Sequence, residues 1–118
     1  LGMAETATKG AATGFGAGMG RLAGTCGAVQ GAFMVLGLAR GMRRPDQAQE
    51  KEKVYGLVRE FAARFTRAHG ALDCRDLLGE DIGTAEGLAR VKEAGLFATR
   101  CTGCIRGAVE ILEQMLRE

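Results

Sequence analysis

Apolar residues recur at three- and four-residue spacing along most of this chain, and strand-like alternation is hard to find. The strongest stretch is residues 46–68. There Val54, Leu57, Val58, Phe61, Phe65 and Ala68 follow one helical stripe, while Glu50, Lys51, Lys53, Arg59, Glu60, Arg64 and Arg67 fall on or near the solvated face. Gly70 ends it, and the only proline, Pro45, lies in the turn at 41–46 that precedes it. Another helix is predicted over 25–38, with Cys26, Val29, Phe33 and Leu36 as its apolar residues. Its small stripe of Gly24, Gly27, Ala28, Gly31 and Ala32 would let a second backbone come close, as in the central helix of a bundle. The last helix covers 102–116. Its expected buried face is Ile105, Ala108, Val109, Leu112, Met115 and Leu116, with Cys101 and Cys104 at the head of that stripe. Shorter elements are expected from Met3 to about Thr13, over 74–78, and from the N-cap Thr84 to Gly95. The pattern predicts an all-α fold. It is a small compact bundle of about five helices, one domain over residues 1–118, with no internal repeat.

Residues 14–21 interrupt the helical spacing. Gly14, Gly16, Gly18 and Gly20 stand at every second position, where a helix interior would lose up to ~1 kcal/mol per glycine. A tight loop with close backbone approach is expected. The spacing matches neither a dinucleotide fingerprint nor a P-loop, and no strand precedes it. Two readings stay open. The loop is purely structural, or its free N–H groups donate to sulfur near Cys26, with Gly27 and Gly31 completing the supporting set.

Composition narrows the function mainly by exclusion. Sixteen Lys and Arg stand against 14 Asp and Glu, a net charge of +2. That balance gives no electrostatic case for a nucleic-acid or membrane partner. Aromatic residues are 5% of the chain and Trp is absent, so stacking platforms for bases are lacking. The longest apolar run, 32–38, is far short of the ~18 residues that a membrane span needs. The chain begins at Leu1 and not Met, and no signal-like segment follows, so the expectation is a fragment of a longer, cytoplasmic protein.

The candidate chemistry lies in the four cysteines, Cys26, Cys74, Cys101 and Cys104. Cys101-Thr102-Gly103-Cys104 is a C-x-x-C at a predicted helix start, where unpaired N–H groups and the helix dipole would lower a thiol pKa. One such pair suits a redox couple, half of a zinc site or half of an iron–sulfur site. Four thiolates could hold Zn²⁺ or an iron–sulfur cluster. Equally, Cys is a small apolar residue that packs well, and Cys26 lies on an apolar stripe. The single histidine, His69, ends the long helix, where an imidazolium complements the dipole.

Several of these segments are similar to one bacterial and archaeal family. They are Thr13-Gly14-Phe15-Gly16-Ala17-Gly18-Met19-Gly20-Arg21, then Thr25-Cys26-Gly27-Ala28-Val29-Gln30-Gly31-Ala32 and Met34-Val35-Leu36-Gly37-Leu38. Cys74-Arg75-Asp76-Leu77-Leu78-Gly79 and the Cys101 segment leading into Ala108-Val109-Glu110-Ile111-Leu112 extend the likeness over nearly the whole chain. The chain resembles the redox-active family labelled by its cysteine pattern, C_GCAxxG_C_C, related to the iron–sulfur domain of split-Soret cytochromes. The resemblance implies a helical domain in which Cys26, Cys74 and Cys101 occupy family positions. Its label spells Gly-Cys-Ala where this chain has Cys26-Gly27-Ala28. The family's first cysteine belongs to an N-terminal helix that this chain does not include, and Cys104 is an addition to the pattern.

Three functional readings follow. The first is a redox or electron-transfer module whose clustered cysteines bind an iron–sulfur cluster or another metal and serve a redox partner protein. The second is metal-free thiol–disulfide chemistry. The third is a helical interaction or assembly protein whose cysteines only pack. A homo-oligomer is compatible with each, since an absent N-terminal helix would uncover an apolar face.

Overall fold

The computed structural model describes residues 4–118, so Met3, where the first predicted helix begins, lies outside the described residues. Among the described residues six right-handed α-helices form: α1 (Glu5–Ala12), α2 (Gly27–Arg40), α3 (Ala48–His69), α4 (Cys74–Leu78), α5 (Ala85–Glu93) and α6 (Thr102–Arg117). A single turn of π-helix, Phe97–Cys101, runs directly into α6. The fold is all-α; among the described residues the only β pairing is an isolated bridge between Thr25 and Asp73.

The long helices α2, α3 and α6 pack around one core of Val29, Ala32, Leu36, Phe61, Phe65, Leu77, Cys104, Ala108, Ile111 and Met115. Phe61 is central to it. Phe33 meets its edge at 5.9 Å, and Phe65 stacks with it at the same distance. A smaller core of Ala23, Cys74, Leu78, Ile82 and Val91 lies under α4 and α5, with Leu96 and Cys101 packed against it. Helix stops follow local chemistry. Gly70 and Gly79 take left-handed backbone after α3 and α4, and the Thr84 hydroxyl accepts from the Gly87 N–H at 3.0 Å to start α5.

Two expectations about the helices are corrected. On α6 the buried face is Cys104, Ala108, Ile111 and Met115, whereas Ile105 is 56% exposed and Val109 47%. Helices α2 and α3 cover only one flank of α6, and the apolar stripe in the sequence is wider than the surface they cover. In the small stripe of α2, Ala32 lies in the core shared with α3 and α6 and Ala28 packs against it, but the glycines do not form a helix–helix seam. A Cβ at Gly31 would meet nothing within 4 Å, while one at Gly27 would run into the Phe15 carbonyl. The close backbone approach at Gly27 is therefore to the preceding loop and not to a neighbouring helix.

The glycine run does form a tight loop. Its backbone is a left-handed turn, with Ala17 (φ 58°), Gly18 (67°), Met19 (71°), Gly20 (61°) and Arg21 (68°) all at positive φ, closed by Gly20 N–H donating to Gly16 C=O at 2.8 Å. Three of those five are not glycine, and each such residue costs roughly 1 kcal/mol or more. Gly18 is the reason the turn fits. A Cβ there would stand 2.7 Å from Cys74 Cβ and 2.8 Å from the Gly24 backbone.

Candidate redox site: a cavity walled by four thiols

Backbone hydrogen bonds bring the first two cysteines together. Cys26 N–H donates to Leu72 C=O at 2.8 Å, Cys74 N–H to Gly24 C=O at 2.6 Å, and Arg75 N–H to Ala23 C=O at 3.2 Å. This short antiparallel contact fastens the segment entering α2 to the segment entering α4. Cys26 then becomes the N-cap residue of α2, with extended backbone, and its carbonyl accepts from Val29 and Gln30 N–H at 3.0 Å. Cys101 and Cys104 arrive from the third side, on the π turn and the first turn of α6.

All four cysteines line one small cavity of about 20 Å³, together with Leu77, Leu78 and Arg100. The cavity lies where the two cores meet, since Cys104 belongs to the larger and Cys74 to the smaller. All four thiols are free, with no disulfide between them. Two larger openings reach the same thiols from opposite chemical surroundings. An apolar groove of about 430 Å³ has Cys26, Cys74 and Cys101 on its wall, beside Phe15, Phe97 and Ile105. A polar cleft of about 230 Å³ has Cys104 on its wall, beside His69, Thr99 and Arg100.

The electrostatics reverse the expectation for the C-x-x-C pair. Burial pushes the Cys74 thiol up to about 11, helped by the neighbouring Cys101, Cys26 and Cys104, since a second thiolate nearby is repulsive. Burial likewise raises Cys101 and Cys104, and Arg100 alone pulls Cys104 back toward its ordinary value. The helix start that was to lower these pKa values is not at Cys101. That residue has right-handed helical backbone (φ −67°, ψ −39°) inside a continuous π-to-α segment, so no bare turn of N–H groups faces its sulfur. The cysteine at a true helix N-terminus is Cys26.

The glycine residues divide. Gly18 and Gly27 hold close backbone contacts, Gly20 takes left-handed backbone, and Gly14, Gly16 and Gly31 have open space where a side chain would stand. Among the described residues no loop amide donates to a cysteine sulfur; Gly20, Leu22 and Gly24 N–H are bonded to carbonyls within the loop. His69 ends α3 as expected, and its ring lies 4.5 Å from that of Phe65. The sequence reading missed Gly107, whose bare Cα leaves the His69 ring its place against α6. It also missed Arg100, whose Nε donates to Leu77 C=O at 2.8 Å. An Arg immediately before the first cysteine of C-x-x-C was the available signal.

Four thiols have the donor chemistry for a thiophilic metal or an iron–sulfur cluster. As placed they do not fit one. No three Cys, His, Asp or Glu side chains among the described residues gather at metal-binding geometry, and the space between the four cysteines is that of about one water.

A protein family described as "Putative redox-active protein (C_GCAxxG_C_C)" matches residues 1–115. No curated protein and no solved structure matches the chain. A helical scaffold that gathers four separate cysteines at one cavity, matched from end to end in this way, belongs to the C_GCAxxG_C_C family.

Proposed function

We propose that this protein is a redox protein working through thiol–disulfide chemistry at the four-cysteine cavity. The carrying observation is that Cys26, Cys74, Cys101 and Cys104 wall one cavity and are all free. In each turnover two thiols join as one disulfide, releasing two electrons and two protons to an oxidised partner; the reverse step takes them back. The raised thiol pKa values support a reducing poise. A dithiol whose thiolate is not stabilised gives up its electrons readily, the converse of oxidants whose reduced form is stabilised. They also imply slow exchange at neutral pH, because the thiolate is the nucleophile.

The test is anaerobic purification with metal and sulfide analysis, followed by thiol counts before and after mild oxidation. The expected result is colourless protein whose count falls by two on oxidation and recovers with dithiothreitol. Iron and sulfide in near-stoichiometric amounts would replace this reading with an iron–sulfur electron-transfer protein. A count that oxidation does not change would leave four packing cysteines.

A further inference from the structure

Of the three openings, the apolar groove has nothing on it that names an occupant. The polar cleft differs, because its walls carry complementary chemistry beside one thiol. Arg100 uses Nε on the Leu77 carbonyl, which fixes the guanidinium at the cleft, and its two terminal amino groups have no protein partner among the described residues. The Thr99 hydroxyl donates to Gly95 C=O at 3.2 Å, so it is already engaged. Leu77, Ala68 and His69 also line the cleft, and no acidic residue does. A fixed guanidinium fork without a carboxylate partner is built to take a carboxylate.

We infer that this cleft binds a low-molecular-weight disulfide bearing carboxylates, with Arg100 holding a carboxylate while Cys104 exchanges with the sulfur. The inference rests on the thiol–disulfide reading above and names its small-molecule partner. The Cys104 thiolate attacks one sulfur of the ligand R–S–S–R. The S–S bond breaks, a Cys104–S–S–R mixed disulfide forms, and RS⁻ leaves and takes up the proton that Cys104 gave to water. The Cys101 thiolate, one helical turn away, then attacks Cys104 Sγ and expels the second RS⁻. Two protein thiols and one R–S–S–R become one protein disulfide and two R–SH. The volume of about 230 Å³ suits a small molecule. Arg100 is also the one group that favours the Cys104 thiolate.

The experiment uses the whole reduced chain with three probes: oxidised glutathione (anionic), 2-hydroxyethyl disulfide (neutral) and cystamine (cationic). Rates are followed by intact mass, and the adduct is mapped by peptide mass. The wild type should react with oxidised glutathione at least about ten-fold faster than with cystamine, with the first adduct on Cys104. Arg100→Gln should remove that preference, read as the ratio of the three rates, while slowing exchange with all three because the group that favours the Cys104 thiolate is gone, and Arg100→Lys should restore part of both. Each variant is its own control for folding, because a ratio of probes is read. A first adduct on Cys26 or Cys101, or no charge preference, overturns the cleft assignment and leaves the thiol reading intact. No reaction with any probe overturns both.

Discussion

Gly18 sits where left-handed backbone and lack of space coincide, with φ +67° and the Cys74 Cβ 2.7 Å from any added side chain. Gly18→Ala should therefore lower unfolding free energy by about 2–4 kcal/mol, combining backbone strain with overpacking. Gly16 is a different case two residues earlier. Its φ is −60° and its surroundings are open, so Gly16→Ala should change stability by about 0.5 kcal/mol or less, in either direction. Urea denaturation of the two variants separates the reasons. Equal losses would show that glycine is required by the loop as a whole and not by one contact. The sequence marks these positions as alike, since both belong to the same alternating run. Only the fold tells which of them meets Cys74.

At the scale of elements, α6 shows what periodicity can and cannot tell. Its apolar positions predict a helix, and a helix forms with boundaries within a residue or so of the expectation. Which part of the stripe is covered depends on α2 and α3, and their packing directions are not written in α6. Ile111 lies outside the face that the spacing predicts and is 9% exposed, whereas Ile105 lies on that face and is 56% exposed. Ile111→Ala should cost about 2–4 kcal/mol and Ile105→Ala less than about 0.5 kcal/mol, measured by thermal or urea unfolding. The reverse ranking would mean that the exposed flank is covered in solution. The π turn was equally hidden. Residues 97–101 have no sequence feature that distinguishes five-residue from four-residue hydrogen bonding, so a helix N-terminus was expected where a continuous helix carries Cys101.

For the whole molecule, helical class and element order were legible because spacing, glycine stops and the Thr84 cap agree with one another. The convergence of the cysteines was legible only as a resemblance and a possibility. It needs the backbone contact between residues 23–26 and 72–75, which joins Cys26 to Cys74, and the π turn leading into α6, which carries Cys101 and Cys104, and neither leaves a compositional trace. One consequence is a stability curve that bends at alkaline pH. Cys74 titrates near 11 in the folded chain against about 9 for an unperturbed thiol, so the folded state binds that proton more tightly than the unfolded state. The stabilisation is complete below pH 9 and is lost as pH rises through about 11. The loss is on the order of 2 kcal/mol for this group alone. Urea midpoints of the reduced protein should fall between pH 9 and 11, and Cys74→Ser should flatten that fall. An unchanged slope in the variant would assign the alkaline loss to other groups. The cavity also bears on how the chain must be made. Its walls are drawn from residue 26 through residue 104, so the thiols become neighbours only after distant segments have docked. Four cysteines allow three complete pairings, and a chain oxidised during synthesis would choose among them before the fold could. Biogenesis of this protein therefore calls for reducing conditions until assembly is finished, whatever its later redox duty.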